Sequence, residues 1–377
     1  MSGPADVAVN LLWLAPGRVG GSEESTLASL RAVSDEAPDD LALRLLCSRE
    51  LLDAHPDLAE RFRVETAPVS TVSRPPRLVA ESTWLAARTR GAALVHHAGG
   101  TVPPVRTAPA LLTLHDLQPL EARATHGRVK RAYLAVAVPR SLAAARVVVV
   151  PSEHVAGTVR ARFPEVAERL VVVHHGVTTG PGTTEDVLRR RYDLPGPVVL
   201  YPGITYPHKN HALLVRAFAA VAADHPDAVL VLPGGPGQEE TAVLELARTL
   251  GVGDRVRRPG RIPAEDVQGL YRLATVVAVP SRYEGFGLPA AEGLVHGRAV
   301  VAASATALPE VVGDAGVLVD PDDLPGWTAA LARLLGDPGE RARLEAAARA
   351  RAPRFSWAAN AQGLLAAYRR ALVGRRR

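Results

Sequence analysis

The sequence predicts an α/β protein built from two doubly wound, Rossmann-like domains. Short apolar, β-branched runs alternate with helical stretches along the chain, the pattern of parallel sheets covered by crossover helices. That alternation restarts after a polar Gly/Pro/Asp-rich stretch near the middle. At 377 residues the chain also exceeds what one hydrophobic core usually holds.

Composition narrows the class. Hydrophobic residues make up 47% and charged residues 22%, as in an ordinary soluble globular chain. The single cysteine, Cys47, excludes an intramolecular disulfide and a multi-cysteine zinc site. The N-terminus lacks the basic, apolar and cleavage regions of a signal peptide, and no apolar run reaches the roughly 20 residues that span a bilayer. The expected location is cytoplasmic, with peripheral contact to the inner face of a membrane as the alternative. The net charge of +5 is almost wholly arginine, since Lys130 and Lys209 are the two lysines. Those arginines are spread along the chain without interleaved aromatics, so nucleic-acid binding is not expected.

In the first half, Asp6 to Ala15 reads as a buried strand running into Pro16-Gly17-Arg18-Val19-Gly20-Gly21. Ser22 is placed as the N-cap of a helix carrying Leu27, Leu30 and Val33 at helical spacing. Strands follow at Leu41 to Cys47, Phe62 to Glu65 and Ala93 to His96. Ala110 to Leu114 is another, ending in His115-Asp116-Leu117. Gly127 to Ala145 is helical in pattern and arginine-rich, with a break expected at Pro139. Arg146 to Val150 is a strand closed by Pro151-Ser152, where Ser152 caps the next helix. Leu170 to Val173 completes the first domain, and Thr178 to Pro197 reads as linker.

The second half opens with the strand Val198 to Tyr201. A loop follows, Pro202-Gly203-Ile204-Thr205-Tyr206-Pro207-His208-Lys209-Asn210, before a helix from Ala212. In a chain that almost always uses arginine, a lysine here suits a compact point charge facing phosphate. Ala228 to Leu232 leads into Pro233-Gly234-Gly235-Pro236-Gly237, which lacks the full spacing of a dinucleotide fingerprint. Arg255 to Arg258 and Pro259-Gly260-Arg261 make the next strand and turn. Ala299 to Ala302 is a strand, Leu324 to Leu335 and Gly339 to Ala350 are helices, and Phe355-Ser356-Trp357 starts a last, capped helix to Leu372.

The most informative stretch runs from Val276 to Gly293. The buried strand Val276 to Val279 stops at Pro280. A loop carries Glu284, Gly285, Phe286 and Gly287, and Leu288-Pro289 opens a helix, since proline suits a first turn. A strand, a glycine-rich loop and a helix N-terminus together favour an anion. Glu284 on the loop and Glu292 about one turn into the helix reach different parts of an elongated ligand. Carboxylates accept from sugar hydroxyls, so a sugar joined to a phosphate fits.

This segment, Pro-Ser-x-x-Glu-Gly-Phe-Gly-Leu-Pro with Glu292 eight positions after Glu284, resembles the signature of family 4 retaining glycosyltransferases (glycosyl transferases group 1). The likeness continues through Ala305 to Gly316 and Val317 to Pro321. It covers nearly the whole second half and, more loosely, the first. It implies the GT-B fold, two Rossmann-like domains facing a central cleft. The expected division is residues 1–190 on the acceptor side, 191–354 for the nucleotide sugar, and 355–377 as a helix crossing back to the first domain.

By resemblance, Lys209 neutralises the leaving diphosphate, Glu284 holds the sugar's hydroxyls and His115 lies beside the transferred sugar. Gly20, Gly21, Gly203, Gly285, Phe286, Gly287, Leu288, Glu292 and Arg261 surround the donor, with Glu292 on the ribose. Many members carry an arginine at the place of Ile204. The mannosyltransferase-like members that share the Pro-His-Lys-Asn loop lack it too. The implied activity is metal-independent transfer of a hexose, mannose favoured, from a nucleoside diphosphate sugar to an acceptor hydroxyl. No cofactor is implied; GDP-mannose is the favoured donor, and the acceptor is a glycan, a lipid or a small molecule. The alternatives are a sugar-nucleotide epimerase of the same fold and a non-catalytic sugar-nucleotide-binding protein.

Overall fold

A computed structural model describes residues 3–16, 21–71, 73–117 and 128–373. The chain divides into two compact units, Met1–Gly176 with Trp357–Arg377, and Val177–Ser356. The division expected from the sequence falls at 190/191. In the structure the stretch after Val177 is held by the second unit, because the helix Glu185–Tyr192 docks there through Asp266. Thr183, Arg191 and Tyr192 all hydrogen-bond that buried carboxylate, at 2.5–2.8 Å. What reads as linker from composition is therefore an ordered part of the second unit.

Among the described residues the first unit holds seven strands, β1 (Ala5–Asn10), β2 (Leu41–Cys47), β3 (Arg63–Thr66), β4 (Leu94–His97), β5 (Ala110–Thr113), β6 (Ala145–Val150) and β7 (Leu170–Val172). They form one parallel sheet in the order β3-β2-β1-β4-β5-β6-β7. Alternation along the strands sends successive side chains to opposite faces. Leu111, Val147 and Val149 pack on one face with Leu364, Leu365 and Tyr368 of the terminal helix Trp357–Val373. Leu112, Val148 and Val150 pack on the other with Leu142, Val155 and Val159. The terminal helix thus belongs to the first unit, beside the helix Gly21–Asp35.

Two local expectations change. Ser22 is not the N-cap of the first helix, because the helix already includes Gly21; the Ser22 carbonyl accepts from Thr26 Oγ1 at 2.7 Å. Pro139 sits inside one continuous helix, Arg128–Ala144, rather than breaking it. Ser152 does cap its helix, accepting from Val155 N.

The second unit holds β8 (Val198–Leu200), β9 (Val229–Val231), β10 (Val256–Arg257), β11 (Val276–Val279), β12 (Ala299–Ala303) and β13 (Gly316–Val319). They are parallel, in the order β10-β9-β8-β11-β12-β13. The strand order turns around between β8 and β11. In open α/β sheets, the crevice outside the strands' carboxyl ends at such a reversal is where ligands bind. The loops leaving β8 and β11 at this point are the two that carry Lys209 and Glu284.

Candidate active site

Several bonds tie those loops together. Asn210, in the left-handed region at φ 57°, points its amide nitrogen at the carbonyls of Pro280 (3.2 Å) and Pro321 (2.9 Å). Arg282 N donates to His208 O at 2.8 Å. With the loops so joined, Lys209 Nζ reaches Glu284 Oε1 at 2.6 Å. The same carboxylate oxygen accepts from Ser281 Oγ at 2.7 Å, and the Glu284 amide donates to Thr306 Oγ1 at 2.9 Å. Glu284 is thus fixed from three loops, a preorganised acceptor next to a cation.

The helix Leu288–Val295 begins directly after the second loop, with Pro289 as its second residue. Gly287 precedes it at φ +101°, a conformation open to glycine, and a Cβ there would lie 2.7 Å from Leu308 Cδ2. Glu292 projects from this helix and accepts from the hydroxyl of buried Tyr271. The ring of Phe286 turns inward, edge-on to Phe355 at 5.9 Å, and serves the core.

On the other side of β8, three glycine turns pack together. Gly203 N donates to Pro233 O and Gly234 N to Gly260 O, both at 2.8 Å. A Cβ on Gly234 would fall 2.3 Å from Gly203 O. The exposed Arg261 lies across this stack, its Nε 3.3 Å from where a Gly235 Cβ would be. Half-buried Ile204 occupies the place where an arginine was awaited. The nearby Arg258 is committed to structure: it bonds Glu240 through Nε and Nη2 at 3.0 Å and Gly235 O at 2.6 Å. Glu240 also accepts from Thr205 Oγ1 at 2.6 Å.

In the first unit, His115 leaves β5 and its Nε2 lies 3.1 Å from Ala98 O. Its ring stacks on His175 at 6.1 Å and meets Trp13 at 5.9 Å. His96, Thr113, His115, His175 and Thr26 line a cavity of about 40 Å³ at the carboxyl edge of that sheet. Burial holds His96 and His175 down to about 3 and lowers His115, so these imidazoles stay neutral. Gly21 opens the first helix, and Gly20 lies outside the described residues.

The second unit therefore assembles Lys209, Glu284, Glu292 and the Gly203, Gly285, Gly287 and Leu288 backbone at one sheet edge, with Arg261 on the β9/β10 side. His115 sits in the first unit. Sequence reasoning missed Tyr201, Ser281 and Tyr271 because strand-end and helical apolar positions read as core. A hydroxyl at such positions is the only trace they leave.

Residues 187–351 match the family described as glycosyl transferases group 1. This segment belongs to that family. The group 1 segment contains every site residue named in the second unit. Among relatives, a D-inositol 3-phosphate glycosyltransferase of Salinispora tropica is 39% identical over 241 residues, 59% of this chain and 50% of that protein. The O-antigen chain mannosyltransferase B of Escherichia coli is 29% identical over 70% of this chain and 71% of its own. The chain spans about half the length of the inositol phosphate relatives it matches. Sucrose-phosphate synthase from Thermosynechococcus elongatus shares the fold, with TM-score 0.74 at 22% identity over 98% of this chain and 100% of that one. Anabaena HepE, solved with UDP and glucose, gives TM-score 0.73 at 19% identity over 97% and 99%. The fold is GT-B.

Proposed function

We propose that the chain is a family 4 retaining glycosyltransferase that moves a hexose, mannose favoured, from a nucleoside diphosphate sugar to an acceptor hydroxyl without a metal. The observation that carries this is the Lys209–Glu284 pair at 2.6 Å on adjoining loops of the group 1 segment, with Glu292 on the next helix. Cleavage of the anomeric C–O bond gives the sugar oxocarbenium character and puts negative charge on the diphosphate. A fixed lysine and a helix N-terminus stabilise that charge better than water does, because they need no reorganisation. Glu284 accepts from the sugar's hydroxyls and Glu292 from the ribose. Arg261 and the Gly203 turn border the nucleotide. Neutral His115 supplies a hydrogen bond to the sugar, and the departing phosphate takes the acceptor's proton on the same face.

Support comes from the names of the relatives, which include a mannosyltransferase and D-inositol 3-phosphate glycosyltransferases, and from the UDP-sugar complexes of a structural neighbour. GDP-mannose is the favoured donor. The test is turnover of a nucleotide-sugar panel, with and without EDTA, against glycan, lipid and polyol acceptors, reading the product's anomeric configuration by NMR. Retention with EDTA present supports the reading. An inverted product, or epimerised sugar nucleotide without transfer, overturns it.

A further inference from the structure

Both glutamates of the site rest on buried tyrosine hydroxyls. Tyr201 and Tyr271 are fully buried, at 0% exposure. Ser281 Oγ donates its one proton to Glu284, so at the 2.6 Å contact between Tyr201 OH and Ser281 Oγ the tyrosine is the donor. Tyr271 donates directly to Glu292 Oε2. Its ring is fixed in turn by stacking on His296 at 5.4 Å with 7° between the planes. Burial, with the neighbouring carboxylates behind it, raises both phenols well above their ordinary range, so neither gives up its proton.

Tyr271 has a further property. It comes from the helix Ala264–Leu273, whereas Glu292 comes from Leu288–Val295, so the bond fixes the carboxylate from outside its own helix. A glutamate side chain has three rotatable bonds and loses rotamer entropy when it is ordered. A donor that orders it in advance removes that cost from ligand binding.

We infer that Tyr271 is a positioning residue for nucleotide recognition: its hydroxyl orients the Glu292 carboxylate toward the ribose hydroxyls. This rests on the proposed role of Glu292. Tyr271 itself touches no ligand and acts through the carboxylate, so its loss affects ribose recognition more than diphosphate binding.

The test is calorimetric titration of the full chain with GDP and UDP and with their 2′,3′-dideoxy forms. Wild-type protein is expected to favour the ribonucleotide about tenfold or more, as hydrogen bonds to a charged acceptor do. Glu292→Ala should bring that ratio close to one. Tyr271→Phe should shrink it at least threefold, while binding of the dideoxy nucleotide stays within about twofold of wild type. A merely structural tyrosine would move both nucleotides alike. If Glu292→Ala loses the ratio and Tyr271→Phe keeps it, the inference fails and the site reading stands. If wild type shows no preference, or Glu292→Ala leaves it intact, the site reading fails and the inference with it.

Discussion

Lys209 Nζ lies 2.6 Å from Glu284 Oε1, although 75 residues separate them in sequence. The reversal of strand order between β8 and β11 brings their loops together, and the side chains are 18% and 11% exposed. A pair so placed is shielded from water, and each partner governs the other. Lys209→Ala should raise the barrier to transfer by about 2–4 kcal/mol, the range seen when one preorganised stabiliser of developing charge is removed. Steady-state kinetics at saturating donor checks this; a wild-type rate would remove Lys209 from catalysis.

The glycine stack makes a second prediction. Since a Cβ on Gly234 would sit 2.3 Å from the Gly203 carbonyl, Gly234→Ala must push the two turns apart. Backbone cannot swing aside as a side chain can, and φ +141° is itself strained for alanine. The variant should fold with a lowered Tm and an affinity for nucleoside diphosphates reduced about tenfold or more. Unchanged affinity would show that this edge does not border the ligand.

Histidine burial in the first unit sets a pH dependence. His96, His97 and His175 are each held down to about 3 by burial, against about 6.5 in an unfolded chain. Below pH 6.5 the unfolded chain takes up protons that the folded one refuses, so stability falls as pH falls, down to about 3. Each histidine contributes at most about 1.4 kcal/mol per pH unit in that window. Tm should be level from pH 7 to 8 and drop steeply between pH 6.5 and 4. An equal Tm at pH 7 and pH 5 would contradict the assignment.

Asp266 holds the start of the second unit together. It is 1% exposed and accepts from Thr183, Arg191 and Tyr192. Asp266→Ala leaves Thr183 and Tyr192 without their acceptor, while the exposed Arg191 turns to water, and should cost about 2 kcal/mol. Urea denaturation followed by far-UV circular dichroism reports it; a loss under 1 kcal/mol would mean that helix Glu185–Tyr192 is held otherwise.

Much of this was legible in the residues. Buried parallel strands read as unbroken apolar runs, so Leu41–Cys47 and Val276–Val279 fall where the sequence puts them. The first strand stops at Asn10, short of the expected Ala15, because Leu11, Leu12 and Leu14 are buried in a turn and not in the sheet. β13 escaped notice because Leu318 is exposed and the run is short. The linker hid a helix because its arginines and acids look solvated, and only the fold shows Arg191 and Tyr192 turned to Asp266. For the site, the loops holding Lys209, Glu284 and Glu292 were readable from glycine, proline and charge. The pairing of Lys209 with Glu284 and the tyrosine supports were not, since they depend on which strands become neighbours.

The proposed function sets Lys209 against the diphosphate of a nucleotide sugar. The chain has two lysines, Lys130 and Lys209, so labelling with 13Cε-lysine gives two signals, and Lys209→Arg assigns them. Titration with GDP-mannose, UDP-glucose and their free diphosphates should shift the Lys209 signal and leave that of Lys130 in place. A Lys209 signal that stays fixed while a nucleotide binds would show that Lys209 does not face the diphosphate.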